Sequence, residues 1–134
     1  FLKNQDFNVI TPVYKLKKEN IHNPNVVKVL ISAKGRALYF SRSAIPHVRD
    51  KNPSDWHKYY NYWGHVGVYG YKASILSKWD LMPFSKLEET ESLEQLRLID
   101  SGLLIDTFET PSNSISVDTE DQLNEACLIA SKIK

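Results

Sequence analysis

Four groups of residues carry side chains suited to an oxygen-rich or phosphorylated ligand. The first is Phe40-Ser41-Arg42-Ser43-Ala44-Ile45-Pro46-His47-Val48-Arg49-Asp50, where Arg42 and Arg49 stand seven apart in a segment stiffened by Pro46. Arginine offers a planar fork of donors that matches a carboxylate or phosphate. The same two arginines can instead pair on the surface with Asp50 or Asp55. In the second group, Trp63 to Tyr71, extended backbone places His65, Gly67, Tyr69 and Tyr71 on one face. Small Gly67 leaves room beside two polar rings, which suits a hydroxyl-rich ligand, although ordinary aromatic packing fits the pattern as well. His65 has the chemistry of a general base, but no partner for it is visible in the sequence. The third group, Leu87 to Arg97, sets Glu94 and Gln95 as acceptors for sugar hydroxyls, or as a solvated helix face with Glu94 paired to Arg97. In the fourth, Asp118 or Thr119 caps the last helix, or Asp118 is a strand-end carboxylate placed to hold Mg²⁺ near phosphates.

These residues need elements to hold them. Val26–Ser32 and Arg36–Phe40 are rich in apolar and β-branched residues, and Ala33-Lys34-Gly35 between them predicts a hairpin closed by a left-handed glycine. A polar, Pro-containing segment follows through Arg49 and Asp50. Lys51 to Trp63 is dense in Tyr, Trp and Lys, with Asn52-Pro53-Ser54 as a breaker. Gly64–Tyr71 reads as a strand, and Ala73–Leu81 as a short helix closed by Pro83. Ser85 is placed to cap a helix over 87–101, with Glu88 completing a capping box and Gly102 as the stop. On it Leu93, Leu96 and Ile99 face one side and Glu91, Glu94 and Gln95 the other. Leu103–Phe108 and Ile115–Val117 read as short strands. A final helix over 119–132 is expected to bury Leu123, Ala126, Cys127 and Ala130. Strands and helices interleave without a repeat, which predicts an α/β sheet domain.

Composition narrows the function classes. The 134 residues suffice for one domain with a modest core. Seventeen Lys and Arg against sixteen Asp and Glu give a net charge of +1, so there is no broad pull toward nucleic acid or a membrane surface. The Tyr/Trp/Lys-rich stretch from Lys51 to Tyr71 could stack bases, but such platforms need a basic groove to follow the backbone. No apolar run nears the roughly 20 residues that span a bilayer. Cys127 is the single cysteine, which excludes an intrachain disulfide and a thiolate-rich metal site. A reducing cytoplasm is the simplest setting, with Cys127 expected as a small buried hydrophobe. Phe1 in place of Met suggests a fragment of a longer chain.

Taken in order, the four groups resemble the second half of the CMP-Kdo synthetases, also called 3-deoxy-manno-octulosonate (Kdo) cytidylyltransferases. The resemblance runs from Asn23-Pro24-Asn25-Val26-Val27-Lys28-Val29 to Leu123. Its most specific pieces are Ala37-Leu38-Tyr39-Phe40-Ser41-Arg42, with Ile45-Pro46 and Arg49-Asp50 behind it, and Leu93-Glu94-Gln95-Leu96-Arg97. Val117-Asp118-Thr119 with Asp121 and Leu123 is shared more widely among CMP-sugar synthetases. The resemblance implies the carboxyl-terminal part of a mixed-sheet nucleotide-diphospho-sugar transferase domain, spanning all of residues 1–134. It implies CTP and Kdo as substrates, Mg²⁺ as cofactor, CMP-Kdo and pyrophosphate as products, and a homodimer. By it, Arg42 and Arg49 line the acidic-sugar site, His65 and Tyr69 line the sugar pocket, Glu94 and Gln95 hold hydroxyls, and Asp118 binds Mg²⁺. Arg42 and Asp118 would then serve the reaction most directly.

Several positions depart from the family pattern. Its glycine-rich triphosphate segment and the Asp motif that shares the metal are absent from these residues. Glu120 stands where Pro is common, Gly64 where a basic residue is common, and His47 where a larger aromatic is common. Residues 1–134 alone are therefore expected not to turn over. The alternatives are a cytidylyltransferase for 8-amino-Kdo or a sialic-acid-like sugar, and a non-catalytic dimerisation or sugar-binding piece.

Overall fold

The structure, a computed structural model, describes residues 7–111, 117 and 120–131. Among these residues six strands form one sheet: β1 (Val9–Lys15), β2 (Lys28–Ile31), β3 (Arg36–Ser41), β4 (Trp63–His65), β5 (Gly70–Tyr71) and β6 (Ile105–Glu109). Their order is β4-β2-β3-β6-β1-β5, and β4 also pairs with β1, so the sheet closes on itself. β1 runs parallel to β6, while the other pairings are antiparallel. The described helices are short: α1 (Ala73–Leu76), α2 (Lys86–Glu91), α3 (Leu96–Asp100) and α4 (Glu120–Ala130). The expected mixed α/β sheet is therefore present.

The hairpin forms as its residues predict. β2 and β3 pair antiparallel from Lys28↔Ser41, and Gly35 turns the corner at φ 74°. That left-handed geometry costs glycine nothing and a β-carbon residue roughly 1–2 kcal/mol. β1 is the strand with no clear sequence signature, because Pro12 interrupts its apolar run. Val9, Val13, Val29, Phe40, Leu96, Leu98 and Ile105 nevertheless close over one another as the main core. A second cluster gathers Ile21, Trp56 and Tyr62, with His47 edge-on to Trp56 at 4.7 Å.

The continuous strand expected over Gly64–Tyr71 is instead two strands flanking a turn. Ile10 lies opposite Gly70 and Val13 opposite His65, so two residues of β1 face four of the partner. Pro12 causes the break. Its carbonyl accepts from Val66 N at 3.1 Å, so its nitrogen faces the same side, where it has no proton to continue the ladder. The Thr11 hydroxyl takes over there, donating toward the carbonyls of Val66 and Val68. The result is a bulged connection that re-aims the residues after His65.

Gly64 is required by close approach. A β-carbon there would lie 2.5 Å from Tyr14 Cζ and 2.8 Å from Leu16 Cδ2. This explains why no basic side chain occupies the position, since Tyr14 and Leu16 fill its space. Gly64→Ala is expected to cost about 1–3 kcal/mol through displacement of those two side chains, read as a lower urea midpoint at unchanged slope.

The helix expected over 87–101 is also divided. Ser85 caps α2 through its Oγ and Glu88 N, but Ser92 turns left-handed at φ 52° and ends it, and α3 begins at Leu96. Glu88 does not close a capping box. Its carboxylate takes Arg97 Nε and Nη2, each at 2.7 Å, and this bridge clamps α2 to α3. The Glu94–Arg97 pair is thereby replaced. Gly102 ends α3 at φ 77°, as predicted.

The expectation for the last helix is corrected. α4 forms, but Leu123, Cys127 and Ala130 are exposed and Ala126 is half-buried. The residues do share a helical face, yet burial needs a covering surface, and the described residues supply none along α4. The strand expected at Ile115–Val117 and the cap at Asp118 or Thr119 fall outside the described residues, apart from Val117 itself. Among the described residues no helix is long and apolar enough to cross a membrane.

Candidate active site

The break between β4 and β5 and the break between α2 and α3 face one cleft of about 380 Å³. The turn after β4 delivers Gly67 and Tyr69, and β5 delivers Tyr71. The connection between α2 and α3 delivers Glu94 and Gln95. Leu76 of α1 and Trp79 of the following 3₁₀ turn complete the wall. Nothing lies within 4 Å of a β-carbon built on Gly67, so that side of the cleft is open.

Two polar atoms in this wall are buried without a partner among the described residues, the Tyr69 hydroxyl and Gln95 Nε2. Leaving a buried donor unpaired costs about 1–3 kcal/mol. Its usual explanation is a ligand or water that completes the bond. Burial, with the charges of Tyr71 and Glu94 adding to it, drives the Tyr69 phenol far above its ordinary pKa, so it remains a proton donor. Tyr71 is raised by burial and then by Glu94. The cleft thus combines phenol and amide donors with the exposed carboxylate of Glu94, the donor and acceptor set of a polyhydroxylated ligand.

His65 stands beside this wall, its ring 5.2 Å from Tyr69 and edge-on to Phe40 at 5.0 Å. Its Nε2 is 3.1 Å from Thr11 Oγ1. Burial holds its pKa down to about 4, so the ring is neutral at physiological pH. On the far side, the Arg97 guanidinium lies over Trp79 at 5.5 Å and Phe84 at 5.6 Å, which braces the Trp79 wall.

The arginines lie elsewhere. Arg42 Nε donates to the carbonyl of Glu91 at 2.8 Å, and its terminal nitrogens donate to those of Pro24 and Ser92. The Glu91 carboxylate returns to Ser41 Oγ at 2.6 Å and Arg42 N at 2.9 Å. Lys28 is fully buried beneath this brace. Its Nζ donates to the carbonyls of Asn23 at 2.8 Å, Val26 at 2.5 Å and Arg42, and burial pushes its pKa down to about 8. Arg49 is 91% exposed and paired with Asp50 at 3.3 Å, the surface pairing that was the alternative for it. Neither Arg42 nor Arg49 lines the cleft. Asp118 is outside the described residues, and among those described no three His, Cys, Asp or Glu gather to hold a metal ion.

Of the predicted site residues, the fold brings Tyr69, Glu94 and Gln95 together, with His65 adjacent. Thr11, Leu76, Trp79 and the Glu88–Arg97 clamp were not predicted. Arg97 closes the Leu-Glu-Gln-Leu-Arg block, so its position was marked though its partner was not. Thr11 carries no sequence signal beyond its place before Pro12.

The sequence profile of the cytidylyltransferase family matches residues 1–106. The chain belongs to that family. It is 38% identical over 133 residues to the 3-deoxy-manno-octulosonate cytidylyltransferase of Rickettsia prowazekii, covering 99% of itself and 50% of that protein. To the enzyme of the same description from Thermodesulfovibrio yellowstonii it is 41% identical over 130 residues, covering 95% of itself and 51% of the relative. A solved structure of CMP:2-keto-3-deoxy-manno-octonic acid synthetase complexed with CTP superposes with a TM-score of 0.84 at 35% identity, over 96% of this chain and 51% of that one. The chain therefore spans about half the length of the relatives it matches, and that half is the carboxyl-terminal one. The nucleotide-sugar transferase fold implied by the sequence is the fold observed.

Proposed function

We propose that this chain supplies the sugar-binding half of an enzyme that transfers CMP from CTP to Kdo, giving CMP-Kdo for lipopolysaccharide synthesis and releasing pyrophosphate. The observation that carries the reading is the cleft in which the Tyr69 hydroxyl and Gln95 Nε2, both buried and unpartnered, stand with Glu94. The similarity to relatives described as Kdo cytidylyltransferases supports it. In the proposed reaction the sugar's anomeric hydroxyl gives up its proton to solvent and its oxygen forms a bond to the α-phosphorus of CTP. The bond from that phosphorus to the bridging oxygen breaks, and pyrophosphate leaves with the electron pair. Such a transfer depends on holding the attacking hydroxyl in line and stabilising charge, not on a covalent enzyme intermediate.

In this reading Tyr69, Glu94 and Gln95 hold sugar hydroxyls and His65 adds a neutral contact. Arg49, exposed and paired with Asp50 at the surface, is proposed to meet the sugar carboxylate. Arg42 is proposed for the same group at the cost of its carbonyl contacts. Mg²⁺ would neutralise the triphosphate. This half offers it the single carboxylate of Asp118, and Mg²⁺ commonly joins one or two carboxylates to substrate phosphates. Further protein ligands would come from the half of the relatives that this chain does not cover. A cytoplasmic homodimer completes the proposal.

The test is calorimetric titration of residues 1–134 with Kdo, alongside a pyrophosphate-release assay with CTP, Mg²⁺ and Kdo. Kdo binding without turnover is expected. Gln95→Leu should weaken that binding about 10- to 100-fold, the equivalent of one or two lost hydrogen bonds to a buried donor. Absence of Kdo binding, or equal binding by Gln95→Leu, would refute the sugar site. Turnover by residues 1–134 alone would refute the half-enzyme reading.

A further inference from the structure

We propose that Thr11 is a positioning residue that holds His65 in the tautomer protonated at Nε2, leaving Nδ1 as a bare acceptor for a ligand hydroxyl. Thr11 is fully buried in β1. Its Oγ1 lies 2.8 Å from the carbonyl oxygen of Val68, 3.2 Å from that of Val66 and 3.1 Å from His65 Nε2. A carbonyl oxygen has no proton to give, so the single hydroxyl proton must point toward Val68 and Val66. Toward His65 the Thr11 oxygen then presents only lone pairs, and Nε2 must be the donor. A neutral imidazole carries one ring proton, which leaves Nδ1 with none.

The neutral state follows from the surroundings. Phe40 and Tyr69 pack on the ring, and burial keeps it unprotonated at physiological pH. A ring of this kind is a poor proton acceptor near pH 7, so the geometry assigns His65 to binding and not to proton abstraction. The same hydroxyl also anchors the turn that carries Gly67 and Tyr69 into the cleft. It replaces the backbone bond that Pro12 cannot make, and so couples the shape of the turn to the orientation of the ring. What Nδ1 accepts from rests on the sugar reading above. The tautomer itself does not.

The test is a long-range ¹H–¹⁵N correlation spectrum of labelled residues 1–134 near neutral pH, with His65→Gln assigning the resonances among the four histidines. In the wild type and in Thr11→Ser, His65 should show a protonated Nε2 and an unprotonated Nδ1. Thr11→Val should move it toward a mixture of tautomers. A wild-type His65 protonated at Nδ1, or a Thr11→Val spectrum with the Nε2–H form unchanged, overturns the assignment. Should Thr11→Val fail to fold, the wild-type and Thr11→Ser spectra still decide, because Nδ1–H in either contradicts the geometry. Added Kdo should then shift Nδ1 and leave Nε2 protonated. Kdo binding that perturbs Tyr69 and Gln95 with Nδ1 unmoved overturns the acceptor role. No perturbation anywhere counts against the sugar reading and leaves the tautomer result intact.

Discussion

Phe40→Ala is expected to lower the unfolding free energy by about 3–5 kcal/mol, the range for emptying a fully buried aromatic site. Phe40 is wholly inaccessible in the core, opposite Val29 in the hairpin and surrounded by aliphatic side chains from strands and from α3. The sheet closes on itself around this core, so the walls of the cavity cannot collapse without distorting strand pairings on several sides. Phe40 also presents its edge to His65. The loss should therefore extend from stability to the site, with weaker Kdo binding in whatever fraction remains folded. Urea unfolding measures the first effect and calorimetric titration the second. A destabilisation under about 1 kcal/mol would mean that the core repacks freely.

Acid should destabilise the chain between pH 6.5 and 4, and His65 should account for roughly 3 kcal/mol of that loss. In the unfolded chain this histidine takes a proton near pH 6.5, whereas burial in the folded chain holds its pKa down to about 4. Below pH 6.5 the unfolded state therefore binds protons that the folded state refuses, and stability falls as pH falls. Below about 4 both states are protonated and this contribution levels off. Urea unfolding at several pH values through that window measures the slope. His65→Gln, which cannot titrate there, should show a correspondingly flatter profile even if it is less stable at pH 7. An equal slope in the variant would place the titration elsewhere.

Much of the fold was legible where local rules act alone. The Ala33-Lys34-Gly35 turn, the Ser85 cap and the Gly102 stop all formed, because each depends on the conformational freedom or hydrogen bonding of a few adjacent residues. The site was legible in part. Tyr69, Glu94 and Gln95 meet in one cleft, whereas Arg42 braces the end of α2 and Arg49 lies on the surface.

The sequence by itself determined the family, the α/β class, the hairpin and the residue types that face the cleft, since these are written in motif, periodicity and turn chemistry. Tertiary structure alone decided what depends on partners distant in the chain. Pro12 broke the strand that Gly64–Tyr71 would otherwise have formed, because a missing donor matters only once the opposing strand is known. Glu88 chose Arg97 over its own helix cap, because the turn at Ser92 brings a guanidinium within reach of both its oxygens. Cys127 stayed exposed, because an apolar helical face is buried only where another surface covers it.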